Sequence, residues 1–162
     1  MKKVFAIDPG TFESGYVVVC VEDDHGVKII EHGKIKNEDI LEMLPMDGAS
    51  VVIEMIACYG MPVGREVFET CLWIGRFLEK AGIAQEEQVN HFVYRIEEKQ
   101  VLCHNVRAND ANIVQALVDR YAYGQPNKGK GTKKNPGTFY GFSKDSWQAM
   151  AVAVTWMERE NL

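Results

Sequence analysis

Short apolar runs alternate along this chain with longer stretches of helical period. Residues 3–8 read as a buried strand, in which Val4-Phe5-Ala6-Ile7 closes on Asp8-Pro9-Gly10. Residues 16–21 are rich in β-branched side chains and read as a second strand. The polar group Asp23-Asp24-His25-Gly26 marks a turn into a third strand over 27–35, which makes a hairpin. Asn37 is expected to cap a short helix through Leu44, with Glu38 and Asp39 favourable in its first turn. A fourth strand follows over 50–56. The spacing predicts a long helix over 64–80, with Val67, Cys71, Ile74 and Leu78 in one stripe. Phe68 and Leu72 widen that stripe, and Trp73 and Phe77 lie on another side. A helix apolar on more than one side is often buried by more than one partner. It is the candidate homodimer surface, unless both sides face the same core.

Beyond Gly82, residues 91–95 read as a short fifth strand and 97–103 as a short helix. Asn109 or Asp110 opens a helix with Ile113, Leu117 and Tyr121 on one face. Residues 124–141 form a Gly/Lys/Pro loop expected to be mobile. Ser143 is expected to cap a final helix with Trp147, Met150, Ala151 and Val154 on its core side. An early hairpin followed by alternation of strands and helices predicts an α/β fold, a mixed sheet with helices on both faces.

The 162 residues suit one domain, and no apolar run approaches the roughly 20 residues of a membrane span. Few apolar residues separate Met1-Lys2-Lys3 from Asp8, too few for a secretory signal, so a cytoplasmic setting is expected. Cys20, Cys58, Cys71 and Cys103 form no C-x-x-C pair and read as reduced thiols. The net charge of −5 argues against nucleic-acid binding only if charge is read globally. Locally, residues 125–137 contain Lys128, Lys130, Lys133 and Lys134 and no acid.

Three acids change the picture. Asp8 ends the first strand, Glu54 follows the run Val51-Val52-Ile53, and Asp145 opens the last helix. An unpaired carboxylate at a buried strand end costs several kcal/mol or shifts its pKa. Acids at three element ends suit one site for divalent cations, whose oxygen ligands point to Mg²⁺ or Mn²⁺. Taken singly, each has an ordinary alternative: Asp145 as a helix-start acid, Glu54 as the partner of a buried arginine.

The segments Ile7-Asp8-Pro9-Gly10, Val52-Ile53-Glu54 and residues 144–153 resemble the signature blocks of RuvC-type Holliday-junction resolvases, within the ribonuclease H-like superfamily. Lys99-Gln100-Val101 and residues 107–118 are similar to a fourth block. Residues 131–137 bring the likeness nearest to the phage-encoded branch. The resemblance spans nearly the whole chain. It implies a single domain over 1–162 with a ribonuclease H-like mixed five-stranded sheet. It also implies a homodimer that cuts four-way DNA junctions with Mg²⁺ or Mn²⁺. Asp8, Glu54 and Asp145 would then be metal ligands. The second ligand position on the last helix, usually an acid, is Gln148 here, whose amide oxygen could still coordinate. Lys99 matches a lysine near the scissile phosphate. A second family lysine falls at Asp110, which reads as a helix N-cap. The four loop lysines and Arg107 would contact phosphates. The family's base-stacking aromatic falls at Ala57, where Tyr59 or Met61 could serve instead, although a buried Tyr59 is equally consistent.

Two other classes remain open on sequence. Asp8-Pro9-Gly10-Thr11 with Ser14-Gly15 also resembles the phosphate loop of sugar kinases and actin-like ATPases, which need a second such domain. A non-catalytic binder of branched DNA is the other, with Gln148 marking a decayed site.

Overall fold

Side-chain alternation along one buried strand sets the architecture. In the computed structural model, which describes residues 2–23 and 25–162, β1 (Lys2–Asp8) is flanked by β2 (Glu13–Val21), and β3 (Val27–Lys36) lies outside β2. Both of these pairings are antiparallel. On the other side β4 (Ala49–Met55) and β5 (Phe92–Tyr94) join in parallel. The order β3-β2-β1-β4-β5 makes the mixed five-stranded sheet of an α/β fold. Asp24, in the expected β2–β3 turn, lies outside the described residues.

Successive residues of a strand face opposite sides of a sheet. Phe5, Ile7, Val51 and Ile53 therefore meet α1 (Asn37–Met43) and α2 (Arg65–Lys80) on one face. Val4, Ala6, Val17, Val19 and Val52 meet α3 (Arg95–Cys103), α4 (Asp110–Tyr121) and α5 (Lys144–Arg159) on the other. α5 is buried from Ser146 to Met157 except at Gln148. Among the described residues, no helix is long and apolar enough to cross a membrane.

Several local expectations are corrected. Asn37 is not a cap: Lys36 holds that position, and Asn37 is buried. The Asn37 amide instead donates to the Gly10 carbonyl (3.0 Å) and its oxygen accepts from Ser14 (2.6 Å), stapling the turn after Asp8. Asn109, not Asp110, caps α4, in a reciprocal box with Asn112. Ser143 stands at the start of α5, but its hydroxyl meets the Ser146 hydroxyl rather than a backbone N–H. A 3-10 helix over Gln85–His91 was not expected.

The lysine-bearing loop is folded rather than a loose tether. Gly131 N–H donates to Pro126 O, Gly137 N–H to Lys130 O and Phe139 N–H to Gly129 O. Gln125 and Thr138 clasp its two ends through paired hydrogen bonds of 2.9 Å, and Phe139 is fully buried. Its glycines serve close packing: a Cβ on Gly131 would stand 2.3 Å from Asn135 O, and one on Gly137 2.2 Å from Gly129 O.

Candidate functional site

β1 and β4 run parallel with Ile7 beside Ile53, so the next pair along is Asp8 and Glu54. Both follow the phase of Val4, Ala6 and Val52, which places them on the α5 side of the sheet. Their carboxyl groups stand within hydrogen-bonding reach of each other. On the other flank, β2 brings Gly15 opposite Asp8. A Cβ on Gly15 would lie 2.8 Å from the Asp145 carbonyl oxygen, so this glycine allows the first turn of α5 to settle on the sheet. That approach brings Asp145 close enough for its charge to be felt at Asp8. Lys34, projecting from β3, pairs with Asp145 at 3.3 Å. His32 secures the same turn, with Nδ1 2.9 Å from the Ser146 hydroxyl and its ring against Phe142.

Three further charged residues, none of them assigned to the site from sequence, complete the cluster. Arg95, at the start of α3, forms ion pairs with both Glu98 and Asp110. Glu98 is fully buried and its Oε1 has no hydrogen-bond partner. Its signal was in the helical period, because Glu98 lies one turn before buried Leu102 on the inward stripe of α3. Asp110 accepts from Arg95 through one oxygen and from the Gln148 amide through the other, the latter at 3.2 Å.

Burial among acids raises their affinity for protons. Asp8 is pushed up to about 8, first by burial, then by the charge of Glu54, their hydrogen bond and Asp145, against Arg95. Glu54 is pushed up to about 7 by burial and Glu98, with the Asp8 hydrogen bond and Arg95 opposing and Asp110 adding a smaller push. Glu98 rises to about 7 through burial, although Arg95 opposes this. Each acid has a close neighbour: Asp8 and Glu54 lie against each other, Asp145 has Lys34, and Glu98 and Asp110 have Arg95. Accordingly, among the described residues no three acid, His or Cys side chains are already drawn around a common point.

The donor set suits a hard divalent cation. It is all oxygen, it lies at a sheet rim, and it includes a buried carboxylate oxygen that no donor satisfies. Side-chain rotation is what would bring the oxygens together.

The other expected residues are spread over several elements. Lys128 and Lys130 line a cavity of about 390 Å³ with Lys144, Asp110, Gln148 and Trp147. Lys133 and Lys134 are exposed at the loop tip. Lys99, on α3 directly after Glu98, is half-buried, and among the described residues its side chain makes no hydrogen bond or ion pair. Arg107 is exposed on the α3–α4 connection. Tyr59 and Met61 are exposed after β4, which removes the buried alternative for Tyr59. In the turn after Asp8, the Gly10 N–H donates to the Ser14 hydroxyl at 3.2 Å and so is not offered to a nucleotide phosphate.

No protein-family model and no curated protein sequence matches the chain. Solved structures do match. Thermus thermophilus RuvC superposes with a TM-score of 0.67 at 16% identity, covering 98% of this chain and 96% of that one. The chain has the fold of RuvC. The T. thermophilus RuvC complex with Holliday junction substrate gives 0.62 at 15% identity, with 99% and 97% covered. The yeast mitochondrial Holliday junction resolvase Ydc2 gives 0.61 at 9% identity, with 99% of this chain and 81% of that one covered. The RuvC match runs end to end, so the acid cluster and the lysine cavity both lie within the shared fold.

Proposed function

We propose that this chain is a divalent-cation-dependent endodeoxyribonuclease that cuts four-way and other branched DNA junctions by paired nicks, one from each subunit of a homodimer. The observation that carries this reading is the pair Asp8 and Glu54 at neighbouring strand ends, with Asp145 on α5 near enough for its charge to act on Asp8, together with a cavity that Asp110 shares with three lysines. The RuvC fold supports it, because one matched RuvC structure holds a Holliday junction.

On this reading Asp8, Glu54 and Asp145 hold Mg²⁺, with Mn²⁺ as a substitute, and Gln148 contributes from α5. When bound, a pair of such cations activates water and steadies the leaving oxygen of a phosphodiester. Lys99 favours the negative charge that grows at the scissile phosphate. Lys128, Lys130, Lys133, Lys134 and Arg107 hold the flanking phosphates, and Tyr59 offers a stacking face to a base at the crossover. The second subunit docks on α2, where Phe68 and Leu72 are exposed and side by side. The reaction belongs in the cytoplasm of a bacterial or phage-infected cell.

The test is cleavage of a synthetic four-way junction and a matched linear duplex in Mg²⁺, in Mn²⁺ and in EDTA. Symmetric nicking of the junction alone, lost in EDTA, is expected. Equal cutting of the duplex would turn the reading to a general nuclease, and binding without cutting in either metal to a junction-binding protein.

A further inference from the structure

The site is one charge short on α5 and has one charge too many on α4. Asp145 faces the acids from the first turn of α5, and the residue three positions on, facing the same way, is Gln148. An amide carries no charge to hold a second cation. Yet the amide nitrogen of Gln148 is 3.2 Å from a carboxylate oxygen of Asp110. An acid therefore stands one hydrogen bond from the place an acid on α5 would serve.

Asp110 is also electrically part of the cluster. Its charge is felt at both Glu54 and Glu98, and Arg95 ties it to Glu98. The Glu98 carboxylate is fully buried with Oε1 unpartnered, an independent sign that this corner awaits a cation. Asp110 is reachable as well: its side chain is 59% exposed and lines the cavity shared with Lys128, Lys130 and Lys144. A phosphate drawn by those lysines would arrive beside it.

We propose that Asp110 supplies the fourth carboxylate of a two-cation centre, from α4, in place of the acid that α5 lacks at Gln148. The proposal rests on the metal-dependent reading above. Arg95 holds Asp110 and Glu98 until a cation takes over their charge, and Gln148 orients Asp110 through its amide.

The experiment counts Mn²⁺ bound per chain by electron paramagnetic resonance titration of the full-length protein without DNA. Thermal melting is followed alongside. Wild type is expected to bind two Mn²⁺. Asp110→Asn should keep the first and weaken the second by about tenfold or more, the usual scale for lost support of a metal site. Adding Gln148→Asp to that variant should restore the second with no change in melting temperature; restoration only together with a recovered melting temperature would mark Asp110 as structural and overturn the proposal. Two unchanged sites in Asp110→Asn would overturn the proposal and leave Asp110 as a partner of Arg95 only. If Asp110→Asn melts early and loses both sites, Asp110→Glu decides: two sites support the proposal and one site overturns it. Wild type binding no more Mn²⁺ than Asp8→Asn would instead sink the metal-dependent reading itself.

Discussion

The two faces of this sheet are made by the same strands, yet they end differently at the rim. On the α2 face the inward residues of β1 and β4 are Phe5, Ile7, Val51 and Ile53, apolar to the last. On the α5 face the series Val4, Ala6 and then Asp8, beside Val52 and then Glu54, turns from apolar to acidic in its final step. The helices differ in the same sense. α5 is buried on nearly every side, whereas α2 buries Ile74, Phe77 and Leu78 and leaves Phe68 and Leu72 in the open. One face turns acidic at the rim and the other leaves apolar side chains exposed.

The largest break in this contrast should come from Asp8→Asn. Junction cleavage should fall by about a thousandfold, since losing one charge at a cation site removes several kcal/mol of transition-state stabilisation. Junction binding should persist in a gel-shift assay; loss of binding by a normally folded variant would contradict the metal role. Next in size is Gly15→Val. Its branched side chain would press on the Asp145 backbone, costing about 1–3 kcal/mol as overpacking usually does. Cleavage should fall with the melting temperature, because the same contact seats Asp145. A melting point within a degree of wild type would show that α5 is not seated through Gly15.

The acidic rim should also give the protein a pH signature in EDTA. Asp8 rises from 3.8 to about 8 and Glu54 from 4.5 to about 7 on folding. The folded chain therefore keeps protons that the unfolded chain has released. Stability is full below about pH 4 on this account and is lost as pH rises towards 8. Melting scans at pH 5 and pH 8 should differ by about 5 °C or more, and Asp8→Asn should flatten the difference. A more stable protein at pH 8 would mean that these acids are not buried together.

The smallest effects belong to the α2 face. Changing Phe68 and Leu72 together to Ser should leave melting of dilute protein nearly unchanged but abolish self-association in sedimentation. An unaltered dimer would move the interface elsewhere. Gly75, with open space where a Cβ would sit, should accept Ala with a gain of about 0.5–1 kcal/mol; a loss would mean that a second chain packs against this spot.

Much of this was legible in the sequence, because strand alternation and helical period act over a few residues. The hairpin, the mixed sheet and the placing of Asp8, Glu54 and Asp145 at element ends all follow from such local signals. What escaped was decided by packing between distant segments. Glu98 and Arg95 lie in a short helix where an acid reads as solvated until the partner elements are in place. Lys34 is an ordinary edge-strand lysine until α5 brings Asp145 to it. Asn37 looks like a cap, but the turn after Asp8 claims its side chain. The glycines of the lysine loop suggested freedom, whereas their missing side chains serve close backbone approach.

The clasp of Gln125 on Thr138 has a thermodynamic consequence. Ordering a free segment costs about 1–2 kcal/mol of backbone entropy per residue. Here that loss is incurred during folding, before any ligand arrives. A polyanion meeting this loop would find its backbone already ordered, so calorimetry of the encounter should show a small heat-capacity change and no signature of coupled folding.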